Sequence, residues 1–166
     1  MDTERIDVTR TIKAGAAEIF AVLTDPQGHV AIDASGMLMD ADGDPVTKVG
    51  DQFVVHMDRE ALGDVPLGHY DVTVTIERFT ADREIAWTVQ GTLRPSIGHI
   101  YGYQLEPVED GTLVTSYCDW SGINDEWRQR GIFPVISQSS LRATLGILER
   151  AVRRGYPQAA GVRRTA

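Results

Sequence analysis

His99, Tyr101 and Tyr103 occupy alternate positions in the run His99-Ile100-Tyr101-Gly102-Tyr103, so in an extended chain one imidazole and two phenols share a face. A partly buried imidazole beside a phenol can move a proton or hold a ligand carbonyl. A histidine near a strand start can equally be a satisfied rim or core residue. Buried tyrosines, for their part, need only a partner for the hydroxyl. His99 is the best catalytic candidate on these grounds, with a core role as the competing reading.

Other chemistries find less support. Cys118 precedes Asp119, whose charge raises a thiol pKa, and no helix N-terminus is expected there to stabilise a thiolate. Ser35, in Asp33-Ala34-Ser35-Gly36, lacks the flanking glycines of a nucleophile elbow. Asp33 reads as a capping carboxylate. Gly98 to Gly102 is strand-like and opens no helix, which excludes a phosphate cradle. Asp40-Ala41-Asp42-Gly43-Asp44-Pro45 has the carboxylates of a calcium loop without the later Glu that a twelve-residue loop requires, and reads as a solvated loop. A single cysteine rules out an internal disulfide and a thiol-ligated zinc site. No metal and no cofactor is expected.

These residues must be held by strands. From Gly50 onward the hydrophobic period is two: Phe53, Val55, Met57; Tyr70, Val72, Val74, Ile76; Ile85, Trp87, Val89; His99, Tyr101, Tyr103, Leu105; Val114, Ser116, Cys118, Trp120. Loop and turn residues separate the runs at 61–68, 81–83, 94–96 and 109–111. The connections are too short for crossovers, so the strands form an antiparallel meander. If large apolar residues mark the inner face, all of these side chains point inward. His56 and His69 then face solvent, which removes any cluster of histidine ligands and leaves His99 as the one interior histidine.

Before the meander, Ile6, Val8 and Ile12 mark a strand. Ala16 to Thr24 and Gln27 to Ile32 mark two short helices, the first stopped by Asp25-Pro26. After it, Phe133 to Arg154 carries Leu141, Leu145, Leu148 and Val152 at helical spacing, widened by Ile136, Ile147 and Ala151. A long amphipathic helix that follows a run of strands must bury its stripe on their sheet, giving an α+β chain. Trp127, in the polar link Asn124 to Arg130, could close one end of a cavity or belong to a contact between two copies, so a homodimer stays open.

At 166 residues the chain suits one domain over 1–166, with a core of about 5–155 and a flexible tail over 156–166. A formal net charge of -8 repels a polyphosphate backbone, which argues against nucleic acid. Arg150, Arg153, Arg154, Arg163 and Arg164 make the C-terminal end basic, suited to an anionic headgroup or to the helix dipole. The N-terminus lacks the pattern of a signal peptide and no run is long enough to span a bilayer. With one cysteine, a cytoplasmic protein without membrane insertion is expected.

Three pieces of the sequence resemble one family. They are Thr11 to Phe20 followed by Leu23-Thr24-Asp25-Pro26 and Asp33-Ala34-Ser35-Gly36; the strand Ile85-Ala86-Trp87; and Gly111 to Thr115 running into Asp119-Trp120-Ser121-Gly122. Together they are similar to the polyketide cyclase/dehydrase and lipid-transport group of the START-like (SRPBCC) superfamily, which includes the birch-pollen allergens. The resemblance spans Ile6 to Arg154 and departs at Gly15, where that group usually has proline.

The resemblance implies a helix-grip fold: a curved antiparallel sheet around the C-terminal helix, with an internal pocket. It also implies a small lipid-like or polycyclic ligand there, or alternatively polyketide aromatase/cyclase or dehydratase chemistry. The lining expected from strand parity and the helix stripe is Phe53, Val55, Tyr70, Val72, Trp87, His99, Tyr101, Tyr103, Cys118 and Trp120, with Leu141, Leu145 and Leu148 as the ceiling. Core packing is the competing reading for these residues.

Overall fold

The computed structural model describes residues 3–63 and 66–157. Their order is β1 (Arg5–Ile12), α1 (Ala16–Thr24), α2 (Pro26–Ile32), β2 (Leu38–Asp42), β3 (Gln52–Asp58), β4 (His69–Thr80), β5 (Glu84–Gln90), β6 (Ile100–Val108), β7 (Gly111–Asp119), α3 (Asp125–Arg130) and α4 (Gln138–Arg154). All seven strands form one curved antiparallel sheet in the order β1-β7-β6-β5-β4-β3-β2. The expected meander is β3 to β7; β2 extends it by pairing with β3, and β1 adds to the other edge by pairing with β7 from Arg5↔Asp119 to Ile12↔Thr112. The fold is therefore the α+β helix grip, with all helices but the short α3 stacked on the concave face. Arg163 and Arg164 lie outside the described residues, as does most of the expected tail. Among the described residues no helix is long and apolar enough to cross a membrane.

Two boundaries differ from expectation. The C-terminal helix begins at Gln138 and not at Phe133, because Ser137 caps it, its hydroxyl accepting from the Ser140 amide at 3.1 Å. The loop expected from Asp40 is strand as far as Asp42. Ala41 is buried and the two carboxylates are exposed, a pattern an edge strand tolerates.

A single aspartate joins α1 to α2. Asp25 ends the first helix and caps the second, its Oδ1 accepting from the Gln27 amide at 3.1 Å, with Pro26 at the first turn. The helices come so close that a Cβ on Gly28 would lie 2.0 Å from the Val22 carbonyl oxygen. Beyond α4, the Tyr156 hydroxyl donates to the Asp25 carboxylate and ties the chain end to this junction.

The main core joins Val8, Ile12, Ile19, Phe20, Leu23, Val114, Leu141, Leu145 and Leu148 with the inner faces of β3 to β6. A bulge between Ile76 and Arg78 shifts the parity of β4. Phe79 consequently packs inward, 5.4 Å from Phe20, and Arg78 turns outward.

The outer face holds one fully buried ring. Tyr117 is 0% exposed and lies over Gly102, its partner across the ladder. Arg5 stacks 4.0 Å above the ring, the hydroxyl donates to Glu84 at 2.8 Å, and Arg78 donates to it at 3.2 Å. Only glycine leaves room for this arrangement: a Cβ at Gly102 would lie 2.4 Å from the ring. Farther along, His56 joins three strands by bonding Asp71 at 2.7 Å and Asp42 at 2.6 Å. These hydrogen bonds hold its pKa up at about 9, with the charges of the two carboxylates adding to the effect.

Two outcomes follow from the outer face. Gly102→Ala should destabilise the protein by about 1–3 kcal/mol through overpacking, read as a lower urea midpoint with the slope unchanged. His56 is charged in the folded state up to about pH 9 and in the unfolded chain only to about 6.5. Its contribution is thus complete below the unfolded value and is lost as pH rises through the folded one. The thermal midpoint should fall across that window, and His56→Gln should flatten the fall. An equally steep curve in the variant would show that the triad does not govern it.

Candidate functional site

On the concave face, β3 to β6 present an unbroken run of rings. His29, from α2, stands edge-on to Phe53 at 5.0 Å and to Trp87 at 4.6 Å. Trp87 stacks on Tyr103 at 5.9 Å and lies 6.4 Å from Tyr101. Tyr101 meets His99 edge-on at 5.0 Å, His99 meets Phe133 at 5.2 Å, and Phe133 stacks on Trp120 at 5.5 Å.

The sequence-derived candidates divide into three groups. Phe53, Val55 and Tyr103 are buried in the main core with Leu141, Leu145 and Leu148. Cys118 and Trp120 belong to a smaller cluster with Ile123 and Trp127, against which Tyr101 and Phe133 pack. Tyr70, Val72, Trp87 and Tyr101 point inward yet are only half-buried, as are Met57 and Val89. The strand register makes these six neighbours, with Met57 opposite Tyr70 and Trp87 opposite Tyr101.

The reason lies in where the helices stand. α4 packs chiefly on β1, α2, α1 and β7, so its leucines cover that side of the sheet. Over Trp87 the cover is His29 of α2.

His29 is a second interior histidine, and it corrects the expectation of one. Its Nε2 bonds the Leu23 carbonyl at 2.7 Å, and burial pulls its pKa down to about 4. Strand parity says nothing about a helix, but Pro26, His29 and Ile32, all buried, recur every three residues. His99 is 5% exposed and burial lowers its pKa to about 4 as well, yet its Nδ1 is buried with no hydrogen-bond partner among the described residues. Burial pushes Tyr101 above the ordinary phenol range, and raises Tyr103 to about 12. The Cys118 thiol is raised to about 12 by burial and by Asp119, as expected of an unreactive cysteine. The interior is thus a surface of neutral polar groups and aromatic rings.

Two further residues at this end escaped strand parity. Arg59, just past β3, donates toward the Tyr70 hydroxyl at 3.4 Å and the Met37 sulfur at 3.5 Å. Phe133, expected in the helix, packs from the connection before it. Asp33 fastens the α2–β2 turn, accepting from the Ser35 amide and hydroxyl and the Leu38 amide. Trp127 is buried, donates to the Pro95 carbonyl at 2.7 Å and lies under Arg130, so it closes the small cluster. As expected, His56 and His69 lie outside. His69 stands near Asp58 and Glu60 in an exposed carboxylate group.

No protein-family model matches the sequence, and no curated protein matches it. Solved structures do. The Aha1 dimer from Colwellia psychrerythraea superposes with TM-score 0.58 at 19% identity, covering 92% of this chain and 98% of that one. The AHSA1-like protein from Aeromonas hydrophila gives 0.57 at 19%, over 90% and 92%. DynU16, from the dynemicin biosynthetic locus, gives 0.60 at 15%, covering 94% of this chain and 49% of that one. At such identities the likeness is one of fold, and the fold is the helix grip.

Proposed function

We propose that the chain is a cytoplasmic binding protein for a small apolar molecule held on the concave face of β3 to β6. The observation that carries this is the patch of Met57, Tyr70, Val72, Trp87, Val89 and Tyr101, inward-pointing yet half-buried. A packed core would close over such residues. An apolar wall with a few polar tips is what a small-molecule site needs. The lone cysteine supports a reducing compartment.

The alternative, polyketide cyclase or dehydratase chemistry at His99, has less support. General acid–base catalysis is most effective when the pKa lies near the working pH, and the His99 imidazole is held down at about 4. Such a group is suited to accept a hydrogen bond more than to take a proton.

Native mass spectrometry of freshly isolated protein should show a retained apolar adduct. Added apolar ligands should quench tryptophan fluorescence, and Trp87→Ala should weaken their binding about tenfold, an aromatic contact being worth on the order of 1 kcal/mol beyond its area. No adduct, together with no response to fatty acids, flavonoids or sterols, would remove the binding reading.

A further inference from the structure

The far end of the aromatic run is occupied by a residue with little holding it there. Phe133 lies flat on Trp120, with 18° between the rings, and edge-on to His99. Residues 132–136 belong to no helix or strand, and among the described residues they make no backbone–backbone hydrogen bond. Ile132 and Val135 are 39% and 47% exposed, so packing by Phe133 and Ile136 is what seats the segment.

The seat contains a polar atom that Phe133 leaves unsatisfied. His99 Nδ1 is buried with no partner, and a phenyl ring offers it none. A buried polar group left without a partner has lost its hydration and gained nothing in return.

We propose that Phe133 is a resident plug in an aromatic subsite formed by Trp120, His99, Tyr101 and Cys118. The subsite takes an uncharged planar ring bearing a hydroxyl, which displaces Phe133 and donates to His99 Nδ1. The inference rests on the reading of the concave face as a ligand site. Its chemistry follows from the lining. With its proton on Nε2, the neutral imidazole presents a lone pair at Nδ1. The rings favour stacking, and the neighbouring phenol and thiol are neutral. A carboxylate there would lose its hydration without gaining a counter-charge, because the cation whose field reaches Tyr101 is Arg59, whose guanidinium points to Tyr70 and Met37.

The test is calorimetric titration at neutral pH with naphthalene, 2-naphthol and 2-naphthoate on the unmodified protein, Phe133→Ala and His99→Phe. In the unmodified protein 2-naphthol should bind about tenfold more tightly than the other two, the size of one good hydrogen bond. Phe133→Ala should tighten 2-naphthol by about tenfold, since the plug no longer competes for the seat. His99→Phe should erase the advantage of the naphthol over naphthalene while naphthalene itself changes little.

Independently of any variant, 2-naphthol should shift the amide NMR signals of 132–136 more than those of the β4–β5 turn. Unchanged affinities in Phe133→Ala, or unshifted signals at 132–136, would overturn the plug. A preference for naphthalene or naphthoate would overturn the hydroxyl-to-His99 assignment. Binding of none of the three to any form would overturn the ligand-site reading itself.

Discussion

A seven-stranded sheet is about 29 Å wide across its strands, and one helix covers a strip about 10 Å wide. The C-terminal helix therefore cannot bury the concave face alone. It takes the β1–β7 side, where Leu141, Leu145 and Leu148 meet Ile12 and Val114 in the main core. α1 and α2 cross the rest of the face on the way from β1 at one edge to β2 at the other. What they leave uncovered is the inner surface of β3 to β6 near the loops, and the half-buried aromatic patch is the direct result. The candidate site is thus a geometric remainder of covering a wide sheet with short helices. The Asp25-Pro26 junction and the Tyr156 bond, which fix where α2 lies, also fix its extent.

Charge is distributed in keeping with this. Paired ions gather on the convex face and the strand edges, where Arg5, Arg78 and Glu84 surround Tyr117 and two aspartates hold His56. The concave face keeps its titratable groups neutral by burial. Arg59 and Asp33 are the charges whose fields reach its phenols; elsewhere on this face, selection of a ligand would fall to ring shape and to individual hydrogen bonds. The relevant polar atoms are consequently those that the protein itself leaves without a partner.

Most of the sheet was legible in the sequence because period-two alternation is an unambiguous signal when one face is buried. β2 was not legible from Asp40 onward, since its two aspartates point outward from an edge and only Ala41 is buried there. The expected helix start lies five residues too early because Phe133 and Ile136, three apart, read as one further helical turn, whereas Ser137 caps the helix in the structure. Tyr117 escaped because its burial depends on a glycine in the neighbouring strand, a pairing that no single-strand pattern contains. His29 escaped for a similar reason: parity describes strands, and the helix that brings it inside is only seven residues long. Of the expected lining, parity placed the strand residues on the correct face. It could not tell which would be sealed into the core and which left half-open, because that depends on where the helices stand.

The two interior histidines show why burial alone does not define a site. Both are neutral, both are driven down by desolvation, and both touch the aromatic run. They differ in their partners. His29 bonds the carbonyl of Leu23 in the last turn of α1, one of the acceptors that every helix end leaves without an internal donor. Its imidazole therefore closes a helix terminus and is accounted for by the fold. His99 lies just before β6 and completes nothing: the strand ladder does not need its side chain, and its Nδ1 is buried with no hydrogen-bond partner among the described residues. Retaining a polar ring where a phenylalanine would fill the same space and spare the desolvation cost makes physical sense only if the missing partner arrives from outside the chain. Of the two histidines, it is thus His99 on which the proposed subsite rests, since the fold already accounts for His29.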